Sequence, residues 1–166
     1  MKAKVILSAI FLFFISFANA QESKGGLDWY TDLMKADAIS KSSGKPIFAF
    51  FTGSDWCGWC HKLQKDVFSK QTFIDWAKKN VILLELDFPR KSQLAPELAQ
   101  QNSNMQQALQ VRGYPTVWLL YLNQDKETKN INLSTLGSLG YPSGALAGQE
   151  EVKFLTEANA LLKKGK

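Results

Sequence analysis

Ile47-Phe48-Ala49-Phe50-Phe51-Thr52-Gly53-Ser54-Asp55-Trp56-Cys57-Gly58-Trp59-Cys60-His61 passes from an apolar run, through a turn, into paired tryptophans and paired cysteines. The run from 47 to 52 has the length of a strand. It lacks hydrophobic–polar alternation, so both of its faces are expected to be buried, as in a central strand covered by helices on each side. Gly53-Ser54-Asp55 is turn chemistry. From Cys57 onward, Cys60, Leu63 and Val67 recur at steps of three and four while Lys62, Lys65 and Asp66 fall elsewhere, which predicts a helix. A buried strand therefore delivers two cysteines to the first turn of a helix.

That placement has chemical consequences. Cysteines three apart in a first helical turn can close a small disulfide ring and reopen it without refolding. Cys57, at the helix start, meets free backbone N–H groups that favour thiolate over thiol. The thiolate is the form that attacks a disulfide sulfur. Cys60 lies one turn deeper and is placed to resolve the mixed disulfide that results. Cys57 is thus the expected nucleophile and Cys60 the resolving thiol. The plainer alternative is a static disulfide that pins a helix start, although so short a loop gains little from chain-entropy restriction.

Working outward, Leu27 to Ser40 places Trp29, Leu33, Ala36 and Ile39 at near-helical spacing, with Asp28 as N-cap. Gln21 to Gly26 reads as a loose leader. A helix is expected over 72–79, a strand over 81–86, a loop over 87–96 and a helix over 97–109. Strands follow at 116–122 and 131–136, separated by a turn at Asn123-Gln124-Asp125-Lys126. A Gly- and Pro-rich loop at 137–148 leads to a closing helix over 149–164, with Val152, Leu155, Ala158 and Leu162 as its apolar stripe. This order predicts an α/β domain with a central mixed β-sheet flanked by helices.

The first twenty residues stand apart. Lys2 and Lys4 precede an apolar stretch, Val5 to Phe17, and Ala18-Asn19-Ala20 forms a small-residue cleavage pattern. This is the layout of a signal peptide cut after Ala20. Its apolar core of 13 residues falls short of the roughly 20 a membrane-spanning helix needs. The expected organisation is a signal peptide over 1–20, a leader and helix over 21–44, and the main domain over 45–166, in a periplasmic or secreted protein. Losing the two lysines lowers the formal charge from +5 to +3. No basic stripe interleaved with aromatics appears, so nucleic acid is not an expected partner. A single histidine, His61, excludes sites that need several imidazoles, and no phosphate-cradling glycine loop is present.

The sequence resembles the thioredoxin family through Trp56-Cys57-Gly58-Trp59-Cys60 after the strand at 47–52, and through Val111-Arg112-Gly113-Tyr114-Pro115-Thr116 before the strand at 116–122. The resemblance covers about residues 45–164. It is nearest to the secreted bacterial branch with a Trp-Cys-x-Trp-Cys site. It implies a thioredoxin-like fold, a cis-proline at Pro115 beside the cysteines, and thiol–disulfide exchange with protein disulfides. Trp56, Trp59, Tyr114 and Pro115 would contact or orient the substrate, no cofactor or metal would be needed, and a membrane-bound thiol electron donor would be required if the protein reduces. Reductase or isomerase activity is favoured over strong oxidation.

Two departures stand out. The strand before the cysteines lacks the family's buried acid, for which Asp55, Glu85 or Asp87 are the substitutes on offer. The chain between Cys60 and Pro115 is also longer than in minimal thioredoxins, with the extra length placed in 88–104, as a partner surface or a neutral loop. Two rival functions remain. One is a binding module with the same fold and an idle cysteine pair. The other is c-type haem attachment through Cys57-Gly58-Trp59-Cys60-His61, with Met34 or Met105 as second axial ligand. Zinc is weaker still, because two cysteines and one adjacent histidine lack a fourth ligand.

Overall fold

The computed structural model describes residues 21–124 and 131–165. The elements run β1 (Gln21–Lys24), β2 (Leu27–Tyr30), α1 (Leu33–Ser43), β3 (Ile47–Thr52), α2 (Gly58–Leu63), α3 (Gln71–Asn80), β4 (Ile82–Asp87), α4 (Pro96–Ala108), β5 (Thr116–Gln124), β6 (Ile131–Leu139) and α5 (Glu150–Lys164). The strands form one mixed sheet in the order β1-β2-β4-β3-β5-β6. β3 lies at its centre, parallel to β4 and antiparallel to β5.

All six residues of β3 are buried, as the unbroken apolar run predicts. Phe48 and Phe50 join the core beneath α2, α3 and α5, whereas Ile47, Ala49 and Phe51 join the core beneath α1 and α4. The sheet thus separates two apolar layers, and the cysteines belong to the first. Phe48, Phe50, Phe68, Phe73 and Phe154 build that layer largely from rings, with Phe68 and Phe73 stacked at 4.7 Å. α2 runs directly into one π-helical turn, Gln64–Phe68. Cys60, Leu63 and Val67 are fully buried along this continuous segment, on the face their spacing predicts.

The segment before β3 differs from expectation. The helix expected over 27–40 is a strand followed by a helix, and Trp29 belongs to β2. The N-cap is Asp32, not Asp28: its carboxylate accepts the backbone N–H groups of Met34 and Lys35. The loose leader is instead β1, antiparallel to β2, and Gly25 and Gly26 turn the hairpin with φ of 59° and 78°. Paired left-handed residues are what a two-residue hairpin loop requires, and glycine enters that region without strain.

Later elements keep their expected types with small shifts in their ends. β6 extends to Leu139, into the expected loop. Asn123 and Gln124 close β5, and the rest of the expected turn, Asp125 and Lys126, lies outside the described residues, as does the segment over 1–20. On α5, Val152 is exposed and Phe154 supplies the buried anchor beside Ala158.

Candidate active site

The turn Gly53–Asp55 ends β3 and hands the chain to α2. The N–H groups of Trp56 and Cys57 donate to the Gly53 carbonyl at 3.2 and 2.8 Å, which closes the turn. Cys57 then caps α2 in extended backbone geometry. Its Sγ accepts the backbone N–H of Cys60 at 3.2 Å. Cys57 and Cys60 are joined as a disulfide, with Cα atoms 5.2 Å apart. Cys60 is fully buried and Cys57 is 5% exposed, so only the first cysteine keeps any surface. Gly58 beside it is exposed, and a Cβ there would meet nothing within 4 Å.

Two aromatic walls flank the pair. On one side, the Trp56 indole Nε1–H donates to the Phe88 carbonyl at 2.8 Å. Its ring stands edge-on to Tyr114 at 5.8 Å, and the Arg90 guanidinium lies 3.6 Å above it. Tyr114 stacks on Phe88 at 5.2 Å, and its hydroxyl accepts from Gln106 Nε2 at 2.7 Å. Desolvation pushes the Tyr114 phenol above its ordinary pKa. The Tyr114–Pro115 peptide is cis. On the other side, Trp59 is 58% exposed and leans on Tyr141 at 5.1 Å. The Tyr141 hydroxyl donates to Asp66, which also pairs with Lys62, and the Lys62 ammonium lies over the Tyr141 ring. The Lys62 hydrogen bond, then the one from Tyr141, holds the Asp66 carboxyl below its ordinary value.

The residues matching a family described as a thioredoxin-like domain are 33–131. The chain belongs to the thioredoxin-like family. This thioredoxin-like chain is 35% identical, over 69% of its length, to "Disulfide bond reductase DsbH" of Chlamydia pneumoniae. It is 26% identical, over 82% of its length, to "Thioredoxin-related protein DsbJ" of the same organism. It spans 64% and 37% of the lengths of these two relatives. Among solved structures, "DsbH Oxidoreductase" superposes with a TM-score of 0.67 and 28% identity, covering 94% of this chain and 95% of that one.

Within the thioredoxin-like frame, the residues singled out by sequence gather in one place. Trp56 and Trp59 adjoin the disulfide-bonded Cys57 and Cys60 along the chain, Trp56 meets Tyr114 edge-on, and Pro115 follows Tyr114. The three acids separate by role. The Asp55 carboxylate accepts the backbone N–H groups of Arg90 and Lys91, and Asp87 accepts from the Ser54 N–H and hydroxyl. Both are fastened to loop polar groups. Glu85 is buried and pairs in register with Phe50, so strand alternation puts it on the sheet face that carries Cys60. His61 turns its Nε2 to the Ser54 carbonyl at 2.7 Å. Met105 sits in the core of the opposite sheet face, and Met34 projects from α1 on that same side, so neither lies across from His61 as a second axial ligand. Among the described residues, no group of three or more His, Cys, Asp or Glu is arranged to hold a metal.

Sequence reasoning missed Phe88 and Arg90 as neighbours of Trp56, and Tyr141 as the neighbour of Trp59. Each is an isolated side chain in a loop, where no periodicity marks which way it faces.

Proposed function

We propose that this chain is a thiol–disulfide oxidoreductase that reduces or isomerises protein disulfides, with Cys57 as nucleophile and Cys60 as resolving thiol. The observation that carries the reading is the asymmetry of the pair: Cys57, at the helix start, keeps slight exposure and its sulfur accepts a backbone N–H, whereas Cys60 is fully buried. In the reduced protein the Cys60 N–H favours a charged sulfur at Cys57. The Cys57 thiolate attacks one sulfur of the substrate disulfide, and the other sulfur leaves as a thiolate and takes up a proton. Cys60 loses its proton and attacks Cys57 Sγ, which closes the ring and releases the second substrate sulfur. The protein dithiol is oxidised by two electrons and the substrate disulfide is reduced by two.

Trp56, Trp59, Tyr114 and Pro115 form the substrate's resting surface in this reading. The exposed indole of Trp59 beside the sulfurs supports it, because a large exposed apolar ring at a reactive centre suits an apolar contact. The name of the DsbH relative, a disulfide bond reductase, favours reduction over oxidation. Repeated reduction in an oxidising compartment requires a thiol donor, for which a membrane-bound protein is proposed. The N-terminal pattern supports export, with a mature chain starting at Gln21. Among the described residues no helix is long and apolar enough to cross a membrane.

The deciding experiment is a trap. Cys60→Ser should accumulate mixed disulfides on Cys57 that mass spectrometry identifies, while Cys57→Ser should trap nothing and fail to reduce insulin. Trapping at Cys60 of Cys57→Ser would reverse the roles. Partner binding that Cys57→Ser leaves unchanged, in a wild-type protein that fails to reduce insulin, would leave only a binding module.

A further inference from the structure

The loop after β4 is fastened to the residues just before Cys57. The Asp55 carboxylate holds the N–H groups of Arg90 and Lys91 at 3.0 and 2.6 Å. The Trp56 indole holds the Phe88 carbonyl at 2.8 Å, and the Phe88 ring stacks on Tyr114. The loop therefore spans from the cysteine motif to the Tyr114–Pro115 segment. At its tip the Arg90 guanidinium lies 3.6 Å over the Trp56 ring.

Arg90 is exposed, and its guanidinium forms no ion pair among the described residues. The nearby Asp55 charge interacts with Lys91. A guanidinium lying over an indole keeps its in-plane N–H donors at the rim, free for a planar acceptor. A carboxylate matches that fork with two parallel N–H···O bonds. Asp55 and Trp56 have already ordered the loop, so less side-chain freedom remains to be lost when a partner arrives.

We infer that Arg90 is a specificity-determining residue that favours disulfides flanked by an acidic residue, whose carboxylate it receives beside Trp56 while Cys57 attacks. This deepens the oxidoreductase reading and rests on it. Because the pair is solvent-exposed, the preference should be modest, about fivefold in kcat/KM, and should shrink as salt rises toward about 1 M.

The test uses two disulfide-linked peptides identical except for Glu or Lys beside the attacked cysteine, with neutral hydroxyethyl disulfide as control. Wild type should favour the Glu peptide. Arg90→Gln should bring the ratio of the two kcat/KM values to about one, Arg90→Glu should invert it, and Arg90→Lys should keep part of it. Because the readout is a ratio within each variant, a general loss of fold or rate does not imitate it. Equal use of both peptides by wild type, or a ratio that Arg90→Glu leaves in place, overturns the inference while the oxidoreductase reading stands. Failure of wild type on all three disulfides, hydroxyethyl disulfide included, overturns that reading and the inference with it.

Discussion

A Cβ on Gly53 would sit 2.4 Å from the Trp56 indole. That ring cannot swing aside freely, because Phe88 holds its N–H and Arg90 covers its face. Gly53→Ala is therefore expected to destabilise the fold by about 1–3 kcal/mol through overpacking. Urea denaturation followed by tryptophan fluorescence checks this, and an unchanged midpoint would show that Trp56 is loosely held. Asp55 gives a pH-dependent prediction. Its carboxyl lies below the ordinary value, chiefly through the Arg90 N–H and against an opposing desolvation. A depressed native pKa stabilises the folded state above the unfolded value near about 4, and that contribution disappears as pH falls through the lower native value. The wild-type advantage over Asp55→Asn should accordingly be present at neutral pH and close on acidification. Urea midpoints of both proteins from about pH 7 to about pH 2 measure it. Curves that stay parallel would place the effect elsewhere.

At the scale of elements, α5 separates buried from merely apolar. Phe154 is fully buried against Phe48, Phe68 and Phe73, whereas Val152 is 53% exposed. Phe154→Ala should cost about 3–5 kcal/mol, and Val152→Ala about 0.5 kcal/mol or less. Paired denaturation curves test the contrast, and similar costs for the two would contradict the packing described. The sequence stripe for this helix named Val152 because it shares a 3.6-residue period with Leu155 and Ala158. Periodicity finds a face, and the neighbouring sheet decides where on that face the contact is centred. The same limit explains the segment before β3. Trp29, Leu33 and Ala36 fit helical spacing by coincidence, although Leu27 and Trp29 also alternate as a short strand does. The signal that resolves the ambiguity is Gly25-Gly26, a two-glycine hairpin turn that also explains the leader. By contrast, β3 and the start of α2 were legible, whereas the π-helical turn that follows α2 was not. An unbroken six-residue apolar run bounded by turn residues suits a strand buried on both faces, and the cysteine spacing after it suits the first turn of a helix. Phe88, Arg90 and Tyr141 were illegible because loops bring them to Trp56 and Trp59 through long-range contacts that leave no local pattern.

Across the whole molecule, Trp29 is the largest side chain that ties the β1–β2 hairpin to the active-site helix, with Leu27 buried in the same cluster. β2 meets β4 over only two register pairs, Trp29 with Leu83 and Tyr30 with Leu84. So little ladder cannot by itself hold a hairpin at a sheet edge. Trp29 makes up the difference: it is 5% exposed and meets Phe48, Phe50 and Phe68 at 6.2, 5.9 and 5.7 Å. Phe68 closes the π-helical turn that continues α2, so the same ring that anchors the hairpin also supports the segment presenting the cysteines. Trp29→Ala should cost about 3–5 kcal/mol. Its effect should also be directional. Amide hydrogen exchange should rise in β1, β2 and residues 58–68 more than in α4, which packs on the opposite face of the sheet. Faster alkylation of Cys60 in the reduced variant should follow, because the burial that shields this thiol depends on the same aromatic layer. Exchange that rises evenly on both faces would mean that Trp29 supports the sheet as a whole and has no particular hold on the redox helix.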